Sequence, residues 1–171
     1  TRHKPSVIVK DYIETPKALI QHNQDVELCM DAMNVNGEWF LTTVSKRLMY
    51  RTAQPLPTQK GPSYMKAIRD VVKTYNHGGF LIKVIDCDNG FRPIGGELER
   101  EFHLKCNYSN PSEHEPHSER NNRVIKERIR ATFHGLPFNK LPRILIKILV
   151  MESAKKLNFF PSKNGISQYY S

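Results

Sequence analysis

The sequence lacks the features that mark secreted and membrane proteins. Its three cysteines, Cys29, Cys87 and Cys106, stand singly among apolar neighbours, so we expect buried thiols in a reducing compartment rather than disulfides. The most apolar run, residues 144–151, is interrupted by Lys147 and is far shorter than the roughly 20 residues of a membrane helix. No apolar signal segment opens the chain. These absences predict an intracellular protein without a membrane span.

Acidic residues are scarce relative to basic ones. The 171 residues include 26 lysines and arginines against 17 acids, a formal net charge of +9. Ribosome-bound and membrane-surface proteins can share this balance, but nucleic acid is the leading partner class for such a chain. The length suits one ordinary domain. We therefore predict a nucleic-acid-binding domain over residues 26–171, preceded by a proline-containing lead-in or arm over residues 1–25.

Hydrophobic patterning predicts an antiparallel meander followed by alternating helices and strands. The three meander strands are 26–35, 37–45 and 47–54. After them come a helix, a strand, a short helix, a strand and two long helices, at 64–75, 80–86, 96–101, 103–108, 117–134 and 141–159. This order predicts an α/β domain whose mixed five-stranded sheet has three antiparallel strands, then two parallel ones, between helices. The ribonuclease-H-like architecture has this order.

Two strands carry carboxylates where apolar residues would be expected. Asp31 interrupts the first apolar strand, and a buried carboxylate there requires a compensating cation unless the strand ends and the side chain faces water. At the end of the strand 80–86, Asp86 and Asp88 fall on one face because strand side chains alternate. Asp88 also begins Asp-Asn-Gly, which could be only a turn. The pattern alone leaves both readings open.

A third carboxylate, Glu119, opens the helix predicted at 117–134. Helical geometry places three bases close to its line, while four apolar or small residues share another side, which we expect to be buried. The bases are Arg123, Lys126 and Arg130, and the second set is Ile125, Ile129, Thr132 and Leu136. The ordinary alternative is a solvated face on which Glu119 pairs with Arg123.

In a ribonuclease-H-like sheet these three positions converge. Asp31, Asp88 and Glu119 would then form a carboxylate cluster in a cationic protein. Such a cluster suits two Mg²⁺ or Mn²⁺ ions that also contact a substrate phosphate. We therefore expect acids that bind metal and bases that bind DNA.

At these residues the chain resembles the integrase core of copia-type retrotransposon polyproteins, a retroviral-integrase-like family of the DDE superfamily. The resemblance runs from roughly Glu27 to Ser171 and includes Asp31 with the strand 37–42. Asp88-Asn89-Gly90 is similar to the family's D-N-G motif, and residues 119–123 are similar to its E-R-x-N-R signature. The segment 113–138 also looks like a branch of copia-like polyproteins of algae, oomycetes and similar eukaryotes.

The resemblance implies an enzyme that processes 3′ ends and transfers DNA strands with two metal ions. Asp31, Asp88 and Glu119 would be catalytic and would bind the metal. Arg123, Lys126 and Arg130, and less directly Arg120, would contact the DNA backbone. The implied partners are element ends, target DNA and further copies of the chain, with no small-molecule cofactor. The site of action would be the nucleus or a cytoplasmic retrotransposon particle.

The chain also departs from the family. Arg92 replaces the acid that often follows D-N-G-x, and Glu115-Pro116 stands where many integrases have Asn-Gly. The zinc-binding His/Cys region that typically precedes the core is absent from this sequence. Two other functions remain open: an inactive DNA-binding or assembly module, and a ribonuclease-H-like nuclease with Asp86 or Glu115 as a fourth acid.

Overall fold

The computed structural model describes residues 17–109 and 116–160. The strands are β1 (Asp25–Val35), β2 (Glu38–Ser45), β3 (Arg51–Leu56), β4 (Leu81–Cys87) and β5 (Lys105–Tyr108). The helices are α1 (Lys17–Asn23), α2 (Gly61–His77), α3 (Arg92–Phe102), α4 (Pro116–His134) and α5 (Arg143–Leu157), with a 3₁₀ turn at Asn89–Phe91. Within these ranges, no helix has the length and apolar character needed to cross a membrane.

The five strands form one mixed sheet in the order β3-β2-β1-β4-β5. β1 pairs antiparallel with β2, and β2 pairs antiparallel with β3. β4 runs parallel to β1 and to β5. The predicted sheet of three antiparallel and two parallel strands is therefore confirmed, and β1 lies at its centre.

A tight turn fixes the register of the first hairpin. Asn36 and Gly37 both adopt positive φ, at 51° and 84°, as a two-residue hairpin turn requires. The Asn34 side chain accepts a hydrogen bond from the Gly37 amide at 3.2 Å. The turn pairs Val35 with Glu38, and this register places Thr42 opposite Asp31.

Helices cover both faces of the sheet. On one face, α2 and α3 pack over a large core that includes Leu28, Met30 and Ile85. On the other, α4 and α5 enclose a smaller core. Its buried members are Met33, Phe40, Ala53, Ile125, Ile129, Ile146, Val150 and Ala154. Alternation along β1 assigns Met30 to the first core and Met33 to the second, and the side chain of Asp31 belongs to the α4 face. The three cysteines are buried, as predicted.

Several predicted boundaries were wrong by a few residues. The third strand begins at Arg51, since residues 46–48 form a turn and Met49 has a positive φ of 54°. α2 begins earlier, at Gly61, with Pro62 in its first turn, where the missing amide hydrogen costs little. Pro142 precedes α5 rather than lying inside it. His103 ends α3 in the left-handed region and delays β5 to Lys105.

The lead-in predicted for residues 1–25 lies mostly outside the described residues. Its described part contains α1, whose Leu19 and Ile20 pack against the larger core. The Asn23 side chain donates to the Leu19 carbonyl at 3.1 Å, and β1 begins two residues later at Asp25. This part of the lead-in therefore rests on the domain.

The outer edge of β3 is closed by one side chain. Asn158, which follows α5, accepts a hydrogen bond from the Arg51 amide at 2.8 Å and donates one to the Arg51 carbonyl at 2.9 Å. Its amide thus replaces a neighbouring strand at this position, and an edge left open would be able to pair with another chain.

Asn158→Ala should lower the free energy of unfolding by about 1–3 kcal/mol, because it leaves two half-buried backbone groups without partners. Denaturant unfolding measures this change. Lys156→Ala, an exposed substitution in the last turn of the same helix, is the matched control. Equal stability of the two variants would contradict the edge-closing role.

Candidate active site

Asp31 is a half-buried carboxylate in the middle of the central strand. β1 continues to Val35, so the alternative in which the strand ends at Asp31 is wrong. Asp31 Oδ1 accepts a hydrogen bond from the Ala32 amide at 2.7 Å, and Oδ2 accepts one from Asn122 Nδ2 at 2.7 Å. The sheet and α4 together fix the orientation of this carboxylate.

Asp88 lies beside Asp31 because of the parallel pairing of β1 and β4. Cys29 pairs with Asp86; Asp31 lies two residues farther along β1, and Asp88 comes directly after the last residue of β4, Cys87. Asp88 caps the 3₁₀ turn by accepting the Gly90 amide at 2.9 Å. Its side chain is exposed just beyond the carboxyl end of β4. Open α/β sheets gather ligands at such strand ends.

Electrostatics link Asp31 to both other predicted acids. Burial raises the pKa of Asp31 above its ordinary value, and hydrogen bonds from Ala32 and Asn122 oppose that rise. The negative charges of Asp88 and Glu119 raise the pKa of Asp31 further. Glu119 is exposed in the first turn of α4, where the helix dipole favours an acid. Asp31 therefore lies within electrostatic range of both Asp88 and Glu119.

Asp86 has different surroundings from Asp88, although the two share a strand face. Asp86 is buried, forms an ion pair with Lys46 at 2.8 Å and accepts a hydrogen bond from Asn107 at 3.0 Å. Burial acts to raise the pKa of Asp86, but these hydrogen bonds outweigh it, and the pKa lies below its ordinary value. Lys46 also pairs with Glu27. Asp86 thus has its charge compensated; Glu115, the other suggested fourth acid, lies outside the described residues.

Sequence reasoning missed two polar residues that support Asp31. Thr42 Oγ1 donates to Asn122 Oδ1 at 2.6 Å and lies 3.1 Å from the carbonyl oxygen of Asp31. Because the Asn122 amide oxygen accepts the hydrogen bond from Thr42, the amide nitrogen faces the carboxylate of Asp31. The neighbouring Asn121 is buried and donates to the Thr43 carbonyl at 3.4 Å. The asparagine of E-R-x-N-R was the signal for Asn122, since it lies one helical turn after Glu119.

An aromatic residue from α2 also borders the site. Tyr64 is half-buried, and its ring meets that of Phe91 edge to face with centroids 5.1 Å apart. Burial raises the pKa of the Tyr64 phenol, and the charges of Asp88 and Asp31 add to the rise. Tyr64 therefore lies within electrostatic range of two of the acids. Nothing in the sequence motifs pointed to it.

The bases of α4 lie on its outer side. Arg120, Arg123 and Arg130 are exposed and Lys126 is half-buried, while Ile125 and Ile129 pack against the sheet as predicted. The prediction that Thr132 and Leu136 share the buried face was wrong. Both are exposed, because α4 ends at His134, close to the limit of the core beneath it. The helix thus presents a basic surface that continues away from Glu119.

The residues at this site suit a hard divalent cation by their chemistry. In the described part of the chain, no group of three or more histidine, cysteine, aspartate or glutamate side chains is already set at metal-binding spacing. The donor set is nevertheless made of carboxylate oxygens, the ligands that Mg²⁺ and Mn²⁺ prefer. The charges of Asp88 and Glu119 disfavour ionisation of Asp31, and a divalent cation would offset that repulsion.

Comparison with known proteins gives a match at the level of structure. No protein-family model and no curated protein sequence matches the chain. Among solved structures, the chain is similar to the catalytic core domain of BIV integrase, with a TM-score of 0.61 and 17% sequence identity. The match covers 80% of this chain and 85% of that one. The chain therefore has the fold of an integrase catalytic core, a ribonuclease-H-like architecture.

Proposed function

We propose that the chain is the catalytic core of a retrotransposon integrase, which processes 3′ ends of element DNA and joins them to target DNA. The observation that carries this proposal is that Asp88 and Glu119 each lie close enough to Asp31 to raise its pKa, on an integrase-core fold. The copia-type motifs around the three acids support the retrotransposon origin. Further copies of the chain would be partners, since integration joins two DNA ends.

In this function, Asp31, Asp88 and Glu119 would together hold two Mg²⁺ or Mn²⁺ ions. Bound there, the ions would supply activation of the attacking hydroxyl and stabilisation of the leaving oxygen in an in-line displacement. Asn122 and Thr42 would keep Asp31 in one orientation. No side chain needs to form a covalent bond to DNA.

The basic face of α4 would bind the DNA backbone next to the acids. Arg123, Lys126 and Arg130 follow Glu119 along one side of the helix, so DNA held there would also lie beside the carboxylates. Interactions of this kind are made with phosphates and carry no base information. Binding should consequently tolerate many sequences and weaken steeply with salt.

The first prediction concerns the three acids. Asp31→Asn, Asp88→Asn and Glu119→Gln should each abolish joining of short donor duplexes in Mn²⁺, because each removes a charged ligand while nearly preserving side-chain volume. A gel-based strand-transfer assay measures the joined product.

Glu97→Gln, on the exposed side of α3, is the control that should retain activity. Asp86→Asn is a less direct control, because it removes the partner of a half-buried lysine and should lower stability before it affects chemistry. Joining that survives Glu119→Gln would contradict the assignment of that residue. Hydrolysis without joining by the unmodified chain would instead favour a nuclease.

The second prediction concerns the support of Asp31. Asn122→Ala should lower strand transfer roughly 10- to 100-fold, the range typical when a group that orients a metal ligand is removed. The Mn²⁺ concentration for half-maximal activity should rise in parallel, a change that simple loss of folded protein would not produce. Thr42→Val should have a smaller effect in the same direction. The double variant should be no worse than Asn122→Ala, since Thr42 acts through the amide.

The third prediction concerns the bases of α4. Replacing Arg123, Lys126 or Arg130 by glutamine should weaken duplex binding for all sequences and lower the slope of log K against log salt by about 1 for each phosphate no longer neutralised. Arg120→Gln should have less effect. Fluorescence anisotropy across a salt series measures both quantities. Lys73→Gln, an exposed change on α2, is the control. An equal salt slope in all variants would contradict DNA binding by the α4 bases.

A further inference from the structure

Arg92 is an exposed arginine whose guanidinium is held in a defined position. Its Nε donates to Asn89 Oδ1 at 2.7 Å, and its carbon Cζ lies over the Tyr108 ring, 5.0 Å from the centroid. Asn89 is held in turn, because its amide nitrogen donates to the Ser109 carbonyl at 3.0 Å. The 3₁₀ turn and the end of β5 therefore fix the orientation of this charge.

The partners of Arg92 leave its positive charge uncompensated. Asn89 and Tyr108 are neutral, whereas Arg69, an exposed arginine of α2, is paired with Glu101 at 2.6 Å. Within residues 17–109 and 116–160, no ion pair or hydrogen bond engages the terminal nitrogens of Arg92. Those nitrogens make the bidentate interactions that arginine forms with phosphate. A fixed guanidinium also loses less side-chain entropy when it binds.

The position of Arg92 complements that of the α4 bases. α4 lies over β1 and β2 and contacts Asp31 through Asn122. Arg92 lies on the other flank, since it contacts Asn89 immediately after Asp88 and Tyr108 at the end of the outer strand β5. Arg92 therefore lies on the β5 side of Asp88, whereas the α4 bases lie on the side of β1 and β2.

We infer that Arg92 binds a phosphate of the DNA substrate on the β5 side of the carboxylates. This inference rests on the proposed function, because it takes the acids as the point where the phosphodiester reacts. DNA held by α4 on one flank and by Arg92 on the other would cross the carboxylates. The phosphate can belong to the element end or to the target, and the chemistry of recognition is the same for both.

The test is equilibrium binding of short labelled duplexes across a salt series, in buffer without divalent cations. Arg92→Gln should weaken binding several-fold and lower the salt slope by about 1, the change expected when one phosphate is no longer neutralised. Arg100→Gln is the matched control: Arg100 is an exposed arginine of the same helix whose Nε donates to the Gly96 carbonyl at 3.1 Å. Arg92→Lys should keep the slope but bind less tightly than the unmodified chain, since lysine lacks the planar fork.

Two duplexes separate the two sources of phosphate. One has free recessed ends and resembles an element end, and the other is closed by hairpins at both ends and resembles target DNA. If Arg92→Gln weakens binding of the first duplex alone, Arg92 contacts the element end. If it weakens binding of the second alone, Arg92 contacts the target. Either result supports the inference.

The inference would be overturned if Arg92→Gln bound both duplexes as tightly as Arg100→Gln does, with an unchanged salt slope. If Arg92→Gln does not fold, Arg92→Lys provides the test. Binding by Arg92→Lys equal to that of the unmodified chain would count against the inference. These outcomes are distinguishable from failure of the proposed function, because binding is measured without joining. An unmodified chain that binds DNA but joins none would reject the integrase activity and leave the role of Arg92 to be judged by its salt slope.

Discussion

A charged carboxylate in the central strand of a sheet is disfavoured by burial and by neighbouring negative charges, so hydrogen bonds have to stabilise it. Asp31 meets this constraint with the Ala32 amide and the Asn122 side chain, one for each carboxylate oxygen. These two bonds oppose the effect of burial on the pKa of Asp31 without removing it. The repulsion that remains comes partly from Asp88 and Glu119, and a nearby cation would offset it.

The hydrogen bond from Asn122 to Asp31 helps to position α4, together with the packing of Ile125 and Ile129 against the sheet. Asn122 reaches Asp31 and Thr42 at the centre of the sheet, and Asn121 reaches the Thr43 carbonyl one position away. The two adjacent asparagines thus bond to adjacent residues of β2 and fix the helix along the strand. Glu119 lies one turn earlier on the same helix, so its approach to Asp31 follows from the docking of Asn122.

The sequence predicted the order of strands and helices and the positions of the three acids. It misplaced several element boundaries and missed the residues that hold Asp31 in position. The alternation of β1 and β2 and the helical period of α2 carry enough apolar residues to identify each element. The start of β3 was misplaced because Leu48, Met49 and Tyr50 look like strand residues but belong to a turn and its exit. The choice between Asp86 and Asp88 needed tertiary contacts, since periodicity places both on one face and only the fold brings Lys46 and Asn107 to Asp86.

Those two aspartates differ in whether a positive charge lies beside them. A buried acid paired with lysine contributes to the fold, and the lysine, although shared with Glu27, already offsets part of its negative charge, so the acid attracts an added cation less. Asp88 lies past the end of the strand, where the Gly90 amide holds one oxygen and the neighbouring charge is that of another acid. Two positions along the chain thus separate an acid that lies beside a lysine from one that lies beside another acid. The repulsive position is the one that gains from a divalent ion, which is why Asp88 rather than Asp86 belongs with Asp31 and Glu119 in the proposed chemistry.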